Sequence, residues 1–105
     1  MEAIFKALSD PTRLSVVESL ALGEKAVGEL AQPFEMALPS FMQHLKVLED
    51  AGLILTRKEG RTRRCKLQTD TLQSAESWLN TQRRIWTQRL DQLDSYLLTM
   101  EDPTT

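Results

Sequence analysis

The stretch Leu38-Pro39-Ser40-Phe41-Met42-Gln43-His44-Leu45-Lys46-Val47-Leu48-Glu49-Asp50-Ala51-Gly52-Leu53 and its continuation Ile54-Leu55-Thr56-Arg57-Lys58-Glu59-Gly60-Arg61-Thr62-Arg63-Arg64-Cys65-Lys66-Leu67 decide how this chain reads. Residues 34–51 read as a turn and a helix: Pro39 suits the first helical turn, and Gly52 is a left-handed stop after the last one. No Ser, Thr, Asp or Asn stands at 37 or 38 to cap this helix. That absence costs about 1 kcal/mol, or a bound phosphate satisfies the free amides instead. Residues 52–56 are apolar and β-branched, as a strand requires, and Glu59-Gly60 suits a hairpin tip. Six cations and one anion lie between Arg57 and Lys66.

A helix followed at once by a basic hairpin is the layout of a winged helix-turn-helix, in which the helix enters a DNA groove and the wing grips the backbone. On a helical wheel started at Phe41 and advanced by about 100° per residue, Leu45 and Leu48 return to the core face. Pro39, Gln43, Lys46 and Val47 fall opposite, with Ser40 on one flank and Asp50 in the last turn, away from the groove. The Gln43 amide can both donate to and accept from an adenine edge. Ser40 suits a base or a phosphate, and Lys46 a phosphate or a guanine. A polar helix face alone is a solvated face, and a basic run alone is usually solvated too. Side by side they point to duplex DNA. The candidate interface is therefore Pro39, Ser40, Gln43, His44 and Lys46 on the helix, with Arg57, Lys58, Arg61, Arg63 and Arg64 on the wing. Alternate hairpin residues share a face, so these cations need not all point one way. One or two can reach phosphates and one at the tip can enter the minor groove, which assigns the wing to affinity more than to sequence choice.

Upstream, Ile4, Phe5 and Leu8 recur at helical spacing, which predicts a short helix over residues 2–8. Asp10 can cap the next helix with Pro11 at its first position. Leu14, Val17, Leu20 and Ala21 form its predicted apolar stripe, and Gly23 its left-handed stop. A third helix is predicted over 26–32, with Val27, Leu30 and Ala31 inward and Pro33 ending it. Residues 71–101 contain no glycine or proline and read as one long helix. There Trp86, Leu90, Leu93, Leu97 and Met100 alternate at spacings of four and three, with Leu79 in phase and Arg83 interrupting the seam. Such a stripe must be covered, either by its own domain or by a second copy. The short remainder of the chain favours a second copy. Residues 102–105 read as a frayed tail.

The whole is expected to be mainly α with a small β-hairpin, one domain over residues 1–101 with a long C-terminal dimerisation helix. At 105 residues there is room for one small domain, and 41% apolar with 27% charged residues suits a globular protein. No apolar run reaches membrane-spanning length, no signal segment opens the chain, and a lone cysteine makes no internal disulfide. Those features lead us to expect a cytoplasmic protein without a membrane partner. Net charge is −2, yet residues 57–66 alone carry +5, so the remainder is at −7. Positive charge concentrated on one element would restrict DNA to one face.

These residues resemble the ArsR/SmtB family of bacterial winged-helix repressors. The resemblance is carried by residues 5–14 (Phe5-Lys6-Ala7-Leu8-Ser9-Asp10-Pro11-Thr12-Arg13-Leu14), by Val27-Gly28-Glu29-Leu30-Ala31, and by 44–54 with the wing through Leu67. It covers roughly residues 2–70, and the segment from Trp78 to Tyr96 is similar to metal-independent members. The resemblance implies a homodimer paired through its terminal helices, with Ile4, Phe5, Leu79, Trp86, Leu90, Leu93, Leu97 and Met100 at the interface. It also implies binding at an operator near a promoter, with release by a signal. The family's thiolate pair is matched here by Ala26 and Gly28, and residues 71–101 hold no histidine. One Cys and one His per chain cannot furnish an ordinary soft-metal site, so no metal and no cofactor is expected. His44 should border the helix core, with a phosphate contact open to it. Cys65 is either a small half-buried strand residue, the favoured reading, or a thiol made oxidisable by its cationic neighbours.

Two other classes compete. An enzyme would need a nucleophile with a base, paired carboxylates or a phosphate-cradling glycine loop, and no such spacing is present. A winged helix used only for protein contacts would leave its basic hairpin without a phosphate partner. Steep salt dependence of duplex binding separates the two. The signal remains open among a small molecule against Trp78, Trp86 and Tyr96, oxidation at Cys65, and concentration alone. Activation instead of repression is also open.

Overall fold

The computed structural model describes residues 1–100, in the order α1 (Glu2–Leu8), α2 (Pro11–Leu20), β1 (Lys25–Ala26), α3 (Val27–Ala31), α4 (Leu38–Asp50), β2 (Ile54–Glu59), β3 (Thr62–Leu67) and α5 (Thr69–Met100). They form two compact units, Met1–Gln73 and the segment from Ser74 onward, so the boundary falls inside α5. The tail expected at 102–105 lies outside the described residues.

In the first unit, α2 starts as its sequence dictates. The Asp10 carboxylate accepts from the Arg13 amide at 3.1 Å, and Pro11 fills the first helical position. Its buried face is Val16, Val17 and Leu20, whereas Leu14 and Ala21 are exposed. The predicted stripe was rotated by about one residue. Gly23 lies beyond the helix with φ +140°, short of a left-handed α stop. Strand β1, only two residues long, takes in Ala26, where the third helix was expected to start, so that α3 begins at Val27. The strand pairs antiparallel with β3 in the sheet order β1-β3-β2. Glu29 then accepts from the Ala26 amide at 3.3 Å, steadying the start of α3.

Helix α4 ends as Gly52 requires. The Gly52 amide donates to the Glu49 carbonyl at 2.9 Å and the Leu53 amide to the Leu48 carbonyl at 3.0 Å, with φ +78° at Gly52. Leu48 and Leu53, the apolar pair that accompanies this stop, are both fully buried. Because Gly52 and Leu53 belong to the helix stop, β2 begins at Ile54 and not at 52, and it runs to Glu59. Glu59 pairs with Thr62, so the hairpin turns on Gly60-Arg61, one residue later than expected. Gly60 has φ +62° and Arg61 does not have a positive φ, the pattern of a type II′ turn.

Phe41, Leu48, Leu53, Ile54, Val16 and Cys65 are the largest fully buried side chains, one from α2, two from α4 and three from the sheet region. Phe34, in the turn before α4, sets its ring 5.6 Å from that of Phe41. This contact fixes how the chain enters the second helix of the helix-turn-helix.

Helix α5 has 32 residues and is about 48 Å long. Within a single chain Ala75 is buried, but most of the helix's apolar side chains stay exposed, including Leu79, Trp86, Leu90, Leu93, Leu97 and Met100. No helix among the described residues is long and apolar enough to cross a membrane.

Candidate nucleic-acid interface

The wheel drawn for α4 agrees with its burial. Phe41, Leu45 and Leu48 are buried, while Pro39, Ser40, Gln43 and Lys46 are exposed on the outward side. Lys46 lies 3.7 Å from Asp50 one turn on, an exposed pair worth only about 0.3–0.5 kcal/mol, so a phosphate can displace it. The Thr56 hydroxyl donates to Glu49 at 2.8 Å and ties α4 to β2, which sets the helix and the wing side by side. As expected, no side chain caps the start of α4. Little is lost by this, because Pro39 has no N–H and the Ser40 amide donates to the Ala37 carbonyl at 3.0 Å.

The wing cations divide by hairpin face. Arg57 and Arg64 are cross-strand partners, and both reach the Glu24 carboxylate, Arg64 through Nε at 3.1 Å. Glu59 adds a second anion, 3.2 Å from Arg57 and 3.8 Å from Arg64. Lys58 and Arg63 form the adjacent cross-strand pair and point to the opposite face, and Arg61 is at the tip. Arg63 borders a hollow shared with Met42, Lys46 and Glu49, so it stands beside the recognition helix. Among the described residues, Lys58, Arg61 and Arg63 have no anionic partner. Lys66, on the Arg64 face of the hairpin, has none either, while Arg57 and Arg64 tie the wing to Glu24 in the segment before β1.

This division can be measured. Arg63→Ala should weaken operator and random duplex alike and lower the slope of log K against log salt by about one counterion. Arg64→Ala should instead lower the fold's stability by about 1 kcal/mol or less, through the lost Glu24 pair. Fluorescence anisotropy at several salt concentrations, with thermal melts of both variants, checks the contrast.

His44 is half-buried between α2 and α4. Its Nδ1 is 3.2 Å from an Arg13 terminal nitrogen and 3.8 Å from Asp10. Arg13 also donates from Nε to the Ala7 carbonyl at 2.6 Å and from its other terminal nitrogen to the Lys6 carbonyl at 3.3 Å, a cation closing the end of α1. The Asp10 carboxyl is held below its ordinary range, chiefly by the Arg13 amide, with the Arg13 guanidinium charge adding to it. Arg13 and Glu24 were not foreseen as interface residues, because their partners lie 31 and 40 residues away in sequence.

Cys65 is fully buried, and burial pushes its thiol up, with Glu49 acting the same way and Arg63 against it. Of its two readings, the inert strand residue is the one that fits, because the neighbouring cations do not outweigh desolvation. Of the expected interface residues, Leu79, Trp86, Leu90, Leu93, Leu97 and Met100 are open to a partner. Ile4 is already buried within one chain and Phe5 is half-buried, so they have less to offer.

Residues 8–57, from the end of α1 into β2, match a family described as a helix-turn-helix domain. The transcriptional repressor SdpR of Bacillus subtilis is 34% identical over 79 residues, covering 75% of this chain and 88% of that protein. The HTH-type transcriptional regulator Rv2034 of Mycobacterium tuberculosis is 41% identical over 86 residues, covering 82% and 78% respectively. Among solved structures, that of the ArsR family transcriptional regulator RHA00566 is similar with a TM-score of 0.78 at 48% identity, covering 82% of this chain and 89% of that one. With an outward-facing second helix, a basic wing and these relatives, the chain belongs to the ArsR/SmtB family of winged helix-turn-helix transcriptional regulators.

Proposed function

We propose that this protein is a homodimeric, cytoplasmic repressor that binds an inverted-repeat operator in duplex DNA. One observation carries the reading: Ser40, Gln43 and Lys46 line the exposed face of α4 beside Arg63 of the wing, with Lys58 and Arg61 also unpaired. Residues 1–101 act as one functional domain, in which the first unit binds DNA and α5 pairs two copies. The two-fold axis then sets half-sites about one helical turn apart.

Release comes from a signal other than a soft metal. Ala26 and Gly28 stand where thiolates would be needed, and the one thiol is buried. Trp78, Trp86 and Tyr96 along α5 offer an apolar wall that a small-molecule effector could use, apart from their packing between subunits.

Footprinting of the purified protein on its own upstream DNA tests the reading. A protected inverted repeat is the expected result, and no protection at any concentration would leave only a protein-interaction role. Gln43→Ala should then remove discrimination at one base position per half-site, by about 1–3 kcal/mol, with random duplex unaffected. Equal loss on operator and random duplex would mean that α4 does not read bases through Gln43.

A further inference from the structure

Among the outward residues of α4, His44 differs in having its ring held by another helix. We propose that Arg13 is a positioning residue for DNA binding: it fixes His44 as the Nε2–H tautomer, and that N–H donates to a DNA backbone phosphate. The proposal rests on the duplex-binding reading above.

The chemistry follows from one contact. A guanidinium only donates, so with Arg13 3.2 Å from Nδ1 the imidazole must accept there. The neutral ring then carries its proton on Nε2. Arg13 has little freedom to withdraw, since its other nitrogens are committed to the Ala7 and Lys6 carbonyls. The charged groups facing the ring are Arg13 and Asp10, both from the start of α2 and both on the Nδ1 side. Nε2 has no protein partner among the described residues. No buried side-chain polar atom among them goes unpaired, so Nε2 is open to solvent.

What Nε2 can meet is set by the hollow that His44 lines. That hollow, about 400 Å³, is bordered by Arg13, Pro39, Ser40, Gln43, His44 and Val47. It has no anionic side chain on its rim and lies among the residues proposed to read the groove. A lone N–H donor next to a guanidinium, with a Ser hydroxyl one turn away, suits an anionic oxygen better than a base edge with mixed donors and acceptors.

Three measurements test this. In the free protein at neutral pH, ¹⁵N spectra of the imidazole should show the Nε2–H tautomer, and an Nδ1–H tautomer would overturn Arg13's role. Glutamine places its amide nitrogen near Nε2 and asparagine near Nδ1. His44→Gln should therefore keep duplex affinity within about twofold, while His44→Asn should lose about tenfold on operator and random duplex alike. Equal behaviour of the two variants would overturn the phosphate contact. Arg13→Lys should weaken binding with His44 present and add no further loss in the His44→Gln background. An equal loss in both backgrounds would make Arg13 a scaffold residue only. A wild type that binds no duplex overturns the phosphate contact together with the DNA reading, while the spectra still judge Arg13's hold on the ring.

Discussion

Leu93→Glu should convert the protein from a dimer to a monomer at micromolar concentration. Leu93 lies midway along the α5 seam between Leu90 and Leu97, and half of its surface is exposed in the single chain. If two copies cover that seam, the two-fold axis places two glutamates in it at once. An uncompensated buried charge costs about 3–5 kcal/mol, which is a hundredfold or more in the dimer constant. Half-site binding should survive, while cooperative binding to an inverted repeat should be lost. Sedimentation of wild type and variant across a concentration series reads this directly, and a monomeric wild type would sink the two-fold arrangement.

Phe41→Ala should produce the largest loss of stability among single substitutions in α4, about 3–5 kcal/mol. The ring is fully buried and packs against Phe34, so truncation leaves a cavity between α4 and the turn that introduces it. A small domain has only about 5–15 kcal/mol of total stability, so the variant should melt many degrees lower. DNA binding should fall with the folded fraction and return as temperature is lowered. A melting temperature within a degree or two of wild type would show that Phe41 is not the anchor of the recognition helix.

What was legible in the sequence was local. The burial of Phe41, Leu45 and Leu48 follows from spacing within one helix. The Asp10 cap, the Pro11 start and the Gly52 stop follow from the chemistry of single residues. What was not legible depended on partners distant in sequence. Val16 replaces Leu14 on the buried face of α2, a rotation that a single helix's pattern cannot fix when Val17 and Leu20 belong to both stripes. Strand β1 is two residues long and exists only through its pairing with β3, so it has no period to read. The same distance hid how the wing is used. The six cations of residues 57–66 read alike until Glu24 claims Arg57 and Arg64 and leaves Lys58, Arg61, Arg63 and Lys66 without an anionic partner. Arg13 was visible as part of a motif, but its hold on His44 required the two helices to be packed.

The most direct test is a titration of the wild-type protein against a duplex from its own upstream DNA and a random duplex, from about 50 to 200 mM salt. If two subunits each present Lys46, Lys58, Arg61 and Arg63 to phosphates, log K should fall steeply with log salt on both duplexes. The upstream duplex should bind about a thousandfold or more tighter at every salt. Binding that is absent, or indifferent to salt and sequence, would contradict the account.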